Sequence, residues 1–413
     1  MTVFQTIAIL LSFAALGSYI NIRFLRLPTS VGMMLFAFLT SLAAMGLERV
    51  GLINIDSASD FVEHIDFSGI LLHGMLSFLL FAGALHVDLH ELRKYRNVVA
   101  FLATIGVVIS CFVTGSLIWL AARAFGFPLP YLYALLFGAL ISPTDPVAVL
   151  GMLKNSSVSK SLRLKISAES LLNDGVGVVA FLALLSLLQH PPLHMAVGQI
   201  TFLLLWEGVG SLLLGLTLGW LAYALLHGID DYKSEVLITL ALAAGGYCFA
   251  EAVNVSAPIT MVVAGLVIGT HGRQFVMSEK TRRHLDMFWD LLDDILNAVL
   301  FVLMGLEIMV IPITGPLFAI SLIAIIATLV GRYVSVLIPV GLLSTHLRFE
   351  KGAVAIMTWG GLRGGISIAM ALSLPPSDYK YLILGMTYLT VVFSVLFQGT
   401  TFNAMIKRVT KKG

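Results

Sequence analysis

Apolar residues run through this chain in stretches near 20 residues, separated by short polar segments. About 20 consecutive apolar residues wound as a helix match the hydrocarbon thickness of a bilayer. Read at that length, the pattern predicts 13 spans, near 3–21, 27–45, 68–88, 98–122, 130–153, 163–188, 197–226, 234–250, 255–271, 286–309, 315–344, 350–374 and 380–404. The seventh is long enough to tilt. The first lacks a basic leading segment and a small-residue cleavage site, so it is read as a retained helix rather than a signal peptide.

Two spans carry helix breakers at their centres. Span 5 contains SPTDP, Ser142 to Pro146, and span 12 contains WGGLRGG, Trp359 to Gly365. Span 1 enters from one side and span 8 from the other, which permits spans 1–6 and 8–13 to be inverted repeats joined by span 7. The two interrupted spans then fall at corresponding places, which marks a transport site in many secondary transporters. The expected fold class is an all-α polytopic membrane protein with 13 transmembrane helices, inverted six-helix repeats and two broken crossing helices.

Composition and charge agree. Of 413 residues, 58% are hydrophobic and 12% charged, with a mean hydropathy of +0.97; a soluble protein carries about 25% charged residues. Lys and Arg set orientation through the loops. With the N-terminus outside, the inner segments hold Arg23, Arg26, Arg93, Lys94, Arg96, Lys154, Lys160, Arg163, Lys165, Lys233, Arg273, Lys280, Arg282, Arg283, Arg348, Lys351 and the C-terminal basic residues. The outer segments hold only Arg49, Arg123 and Lys380. The predicted topology is N-terminus out and C-terminus cytoplasmic. Cys111 and Cys248 sit in apolar runs as small packing residues. No P-loop, nucleophile elbow, dinucleotide fingerprint or spaced histidine metal motif occurs, so no enzyme, no cofactor and no nucleic-acid partner is expected.

The polar residues inside the spans carry the chemistry. A charge at a helix centre costs roughly 2.5–3.5 kcal/mol on insertion scales, yet Asp145, Glu169 and Asp174 lie at such depths. Pro143 and Pro146 lack N–H groups and disfavour helix at the residues before them. The chain should therefore unwind around Thr144 and leave carbonyls free for a small alkali cation, beside the Thr144 hydroxyl and the Asp145 carboxylate. On span 6, Ser170 and Asp174 are four residues apart and share a face, Asn173 reaches toward span 5, and Gly175 and Gly177 admit a close neighbour. Asp174 lies roughly 18 Å into its span. A buried carboxylate favours its neutral form, and a bound cation favours the charged one; Asp174 is the residue to carry either.

Arg332 in span 11 and Arg363 in span 12 need counterions. Arg332 is expected to neutralise Glu169, and Arg363 to balance half-helix dipoles at the glycine break. Asp290, Asp293 and Asp294 at the start of span 10 suit a helix N-terminus, and His73 and His86 are expected to be packed polar residues. Gly215 to Gly219 in span 7 has a small-xxx-small spacing for close helix packing.

The segments SPTDPVAV at 142–149, SAESLLNDGVGVV at 167–179, NAVLFVLMGLE at 297–307, GRYVSV at 331–336 and WGGLRGGISIA at 359–369, with LLFAGALHVDL at 79–89, are spread along most of the chain. In these residues the chain resembles the monovalent cation/proton antiporter family, in its bacterial NhaP-type sodium/proton branch. The resemblance implies exchange of Na+ or Li+ for H+ across a bacterial inner membrane, with monovalent cations, protons and the lipid bilayer as its partners. It implies a homodimer in which residues 1–96 give dimerisation helices 1–3, 97–190 core helices 4–6, 191–312 linker helix 7 and dimerisation helices 8–10, and 313–413 core helices 11–13. The core would move as an elevator. Na+ would sit at Asp174, Asp145, Ser170 and Thr144, with Asn173 orienting the site and Glu169 paired to Arg332. The Asn173–Asp174 pair is similar to that of electroneutral, one-for-one members. Two readings stay open beside this one: potassium/proton antiport on the same scaffold, and a cation channel.

Overall fold

In a computed structural model of the chain, the described residues are 3–52, 62, 65–87, 89–126, 128–145, 149, 153, 158–189, 197–272, 277–311, 315–343, 350 and 352–411. Pro146 and the loop bases Lys154, Arg273, Arg348 and Lys351 lie outside them. Among the described residues there is no β-strand. The helices are α1 Val3–Ile20, α2 Thr29–Arg49, α3 Leu76–Leu85, α4 Leu89–Ala124, α5 Tyr131–Leu140, α6 Lys160–Gln189, α7 Val197–Leu226, α8 Tyr232–Ala252, α9 Ala257–Val267, α10 Glu279–Leu306 and α11 Gly315–Leu343. Two short helices follow, α12 Ala353–Trp359 and α13 Gly365–Leu372, and then α14 Lys380–Val392, which continues through a π-helical turn, Phe393–Gln398, into Gly399–Lys411.

Nine helical stretches among the described residues are long and apolar enough to cross a membrane. The other expected spans depart from that description for identifiable reasons. Span 5 is helical only from Tyr131 to Leu140, where the proline segment stops it, and span 12 is divided at Gly360–Gly364 into α12 and α13. Span 9 is a short apolar helix extended by a π turn to Gly272. Span 10 lies within α10, which starts at Glu279 rather than 286 with a charged first half, so Asp290, Asp293 and Asp294 sit inside the helix and not at its N-terminus. α4 likewise starts at Leu89 rather than 98, because its polar first turns remain helical beyond the apolar run.

Large side chains are exposed on outward faces: Phe4 and Ile7 on α1, Leu213 and Leu221 on α7, Ile326 and Leu342 on α11. A contiguous apolar exterior of this kind is unstable in water and suits lipid. Between helices, small residues replace bulk, because lipid tails are as apolar as leucine and close backbone packing must supply the attraction. α4 and α11 meet through Gly106, Ser110 and Thr114 on one side and Gly331 and Ser335 on the other; a Cβ on Gly331 would collide with Thr114 Oγ1. Gly215 and Gly219 of α7 pack on α9, where added Cβ atoms would lie 2.7 Å from Thr260 O and 2.9 Å from Val267 Cβ. The small-xxx-small pair is thus used within one chain.

Candidate functional site

The broken segments of α5 and of the α12–α13 pair lie against each other. α5 ends at Leu140, the Ser142 hydroxyl turns back to donate to Gly138 O at 2.6 Å, and Pro143 prevents continuation. The Asp145 N–H then donates to Leu362 O at 2.8 Å, so each interrupted helix satisfies part of the other's backbone. Gly364 lets this happen: a Cβ there would stand 2.7 Å from Asp145 Oδ2. Gly177 of α6 serves the same end from another side, since its Cβ would strike the Pro143 ring, and Gly175 faces Ile259 of α9, 2.9 Å from a hypothetical Cβ.

α6 supplies four consecutive-turn polar residues to this crossing, all buried: Glu169, Ser170, Asn173 and Asp174. Asn173 works as a two-sided clamp. Its Oδ1 accepts the Thr144 N–H at 3.2 Å, and its Nδ2 donates to Thr144 Oγ1 at 2.9 Å and to Glu169 Oε1 at 3.1 Å. The Thr144 and Ser170 hydroxyls are 3.0 Å apart, and Ser170 Oγ donates to Thr144 O. Arg332 of α11 grips Glu169 with both guanidinium ends, Nη1 to Oε1 at 2.6 Å and Nη2 to Oε2 at 2.9 Å, while its Nε donates to Met357 O at 3.3 Å. Bidentate geometry and a third bond to a carbonyl are what a charge pair needs when it is buried.

Asp174 is 6% exposed, and among the described residues no donor reaches its carboxylate. Its charged neighbours are Asp145, Glu169 and Arg363. Asp145 is half-buried and also feels Asp293 of α10. The crossing therefore assembles three carboxylates against two guanidiniums. Among the described residues no three His, Cys, Asp or Glu side chains converge as a metal-ligand set. Beside these carboxylates the crossing presents the paired hydroxyls of Thr144 and Ser170.

One detail differs from the sequence reading. The carbonyls around SPTDP are engaged rather than free: Arg363 Nη1 donates to Ser142 O at 2.6 Å and to Pro143 O at 2.8 Å. Backbone acceptors sealed inside protein must find partners, and the guanidinium reaching over from the glycine break supplies them. Arg363 thus caps the end of the partner broken helix, α5, rather than the glycine break that carries it. Sequence reasoning also missed Ser394 and Gln398 on the π turn of α14. Ser394 Oγ accepts the Arg363 N–H at 2.9 Å, and Gln398 Nε2 donates to Trp359 O at 3.2 Å. Their only advance signal was polarity inside an apolar run. His73 and His86 lie outside this crossing, His73 against Glu251 at 2.6 Å and His86 against Asp290 at 3.1 Å.

Comparison with known proteins gives a consistent answer. The family described as "Sodium/hydrogen exchanger, transmembrane" matches residues 9–408. The chain is 42% identical over 408 residues to the Na(+)/H(+) antiporter NhaP of Pseudomonas aeruginosa, covering 98% of this chain and 96% of that protein. It is 34% identical over 392 residues to NhaH of Halobacillus aidingensis, covering 94% and 93%. The fold superposes on the sodium proton antiporter MjNhaP1 of Methanocaldococcus jannaschii at pH 8 with a TM-score of 0.76 at 18% identity, over 99% of each chain. With its multi-pass helical fold and a match spanning nearly its whole length, the chain belongs to the sodium/hydrogen exchanger family of transmembrane proteins.

Proposed function

We propose that this protein is a secondary transporter that exchanges sodium, or lithium, for protons, with Asp174 as the exchangeable group. The observation that carries the reading is the contrast at one buried crossing: Glu169 is held by a bidentate arginine, whereas Asp174 has no donor among the described residues and lies near Asp145 and Arg363. A bare carboxylate in such a place is unfavourable, so it is occupied either by a proton or by a cation. Na+ at Asp174 would take Asp145, the Ser170 hydroxyl and Thr144 as further ligands, with the Ser170 proton rotating away from Thr144 O. Asn173 holds Thr144 in register for this.

The charge count supports a one-for-one, electroneutral cycle. Asp145, Glu169 and Asp174 against Arg332 and Arg363, with Asp293 of α10 counted outside the crossing, leave a single negative charge, which one H+ or one Na+ neutralises. The names of the sodium/proton antiporters that the chain resembles favour sodium over potassium. Antiport rather than a channel is favoured by the two broken helices that meet at this crossing and by the arginines that offset its acids. In this reading there are 13 crossings in two inverted repeats, N-terminus outside and C-terminus cytoplasmic in a bacterial inner membrane. Helices of 97–190 and 313–413 form the core, tied by the α4–α11 seam and the Glu169–Arg332 pair, and it moves as an elevator against 1–96 and 191–312 in a homodimer.

The test is a cation panel on proteoliposomes with a trapped pH dye. Sodium and lithium gradients are expected to drive proton movement, and potassium is not. Proton movement with potassium alone would replace sodium by potassium in this account. Cation current without proton counterflow would replace the antiporter by a channel.

A further inference from the structure

Behind the crossing, α11, α12 and α14 enclose a small cavity with room for a water-sized molecule, lined by Thr328, Arg332, Thr358, Arg363, Thr390 and Gln398 among others. Three of these present buried polar atoms with no hydrogen-bond partner among the described residues: Arg363 Nη2, Thr328 Oγ1 and Thr358 Oγ1. The rest of the wall is satisfied. Thr390 donates to Met386 O at 2.7 Å, Gln398 to Trp359 O, and Arg332 to Glu169. Three of the buried unpartnered atoms among the described residues thus line this one cavity. They come from three elements, α11, α12 and the glycine break.

Leaving a buried donor or acceptor unpaired costs about 1–3 kcal/mol each, and native structures leave few. Buried water typically makes about three hydrogen bonds to otherwise unsatisfied groups. Arg363 Nη2 can only donate, and each threonine hydroxyl can donate or accept, so one water accepts from the guanidinium and joins both hydroxyls. A cation is disfavoured between two guanidiniums. A halide would add charge to a crossing that already carries one net negative charge.

We propose that this cavity is a bound-water site in which water joins Arg363 Nη2 to Thr328 and Thr358, making Thr328 a positioning residue for Arg363. Thr328 lies one turn before Arg332 on α11. One helix face then fixes both arginines, Arg332 directly on Glu169 and Arg363 through water on the Ser142 and Pro143 carbonyls. The consequence for transport rests on the sodium/proton reading above; the water site itself does not.

A density map of the wild-type protein, at a resolution that shows other ordered waters, decides the site. A peak is expected within hydrogen-bond distance of Arg363 Nη2 and of at least one of the two threonine hydroxyls, with no anomalous signal there in bromide-soaked crystals. No peak, when other buried waters are visible, overturns the proposal, and so does a bromide peak. The positioning role is read from Thr328→Val, which keeps volume and removes the hydroxyl, and from Thr328→Ser, which restores it. Thr328→Val is expected to raise the apparent sodium KM about fivefold, the loss of one hydrogen bond, with the maximal rate nearly unchanged, and Thr328→Ser to return KM to the wild-type value. An unchanged KM in the valine variant, or equal effects of Val and Ser, overturns the role. If Thr328→Val does not fold, Thr358→Val gives the same reading from the other side of the cavity. A chain that moved no sodium would void the KM comparison alone and leave the density result decisive for the site.

Discussion

Glu169 and Asp174 are two buried acids on one helix, less than two turns apart, and the protein treats them in opposite ways. Glu169 accepts both ends of the Arg332 guanidinium and an amide proton from Asn173. Asp174 accepts nothing from the described residues and instead shares its surroundings with Asp145 and Arg363. Burial alone therefore does not say what an intramembrane acid is for. A paired acid is a fixed charge that holds α6 to α11, and an unpaired one is free to exchange what neutralises it. The comparison also explains why both can sit side by side: the Glu169–Arg332 pair absorbs one charge of each sign.

The largest expected effect falls on the fixed member. Glu169→Ala leaves Arg332 buried without a counter-charge, and breaking a buried pair from one side costs about 3–5 kcal/mol. The thermal midpoint of the purified protein should drop accordingly, read by loss of monodisperse protein on heating. The double change Glu169→Leu with Arg332→Met should recover much of that loss, because apolar replacement of both partners is often neutral. A double variant no more stable than the single one would mean that Glu169 does more than balance Arg332.

Next in size, Asn173→Asp places a further carboxylate against Thr144. The crossing then needs two positive charges rather than one. Exchange by this variant is expected to respond to an imposed membrane potential, and exchange by the wild type is expected to be indifferent to it. A response in the wild type would end the one-for-one account. The smallest effect is expected from Ser170→Ala, which removes one hydroxyl ligand and one hydrogen bond to Thr144 O. Stability should fall by about 1 kcal/mol, and the apparent sodium KM should rise with some transport retained.

Much of this contrast was legible in the chain. Pro143 and Pro146 announced one break and the glycines of WGGLRGG the other, because both residue types act on the backbone within a residue or two of themselves. The positions of the acids followed from counting along an apolar run, and the pairing of Glu169 with Arg332 from the cost of leaving either alone. What could not be read was where the partners of Arg363 lie. Its targets, Ser142 O and Pro143 O, are backbone atoms more than two hundred residues away and leave no mark on side-chain pattern. Ser394, Gln398, Thr328 and Thr358 were missed for a related reason. A hydroxyl in an apolar helix ordinarily bonds back to its own preceding turn, as Thr387 and Thr390 do, so only three-dimensional packing distinguishes one that does not.

The central claim is that Asp174 alone carries the exchanged charge, and Asp174→Asn tests it most directly. In proteoliposomes with a sodium gradient and a trapped pH dye, this variant is predicted to give no proton movement above empty liposomes while keeping a thermal midpoint at or above the wild-type value, since an unpaired acid becomes a neutral amide. Sodium-driven proton exchange at the wild-type rate in Asp174→Asn would contradict the account.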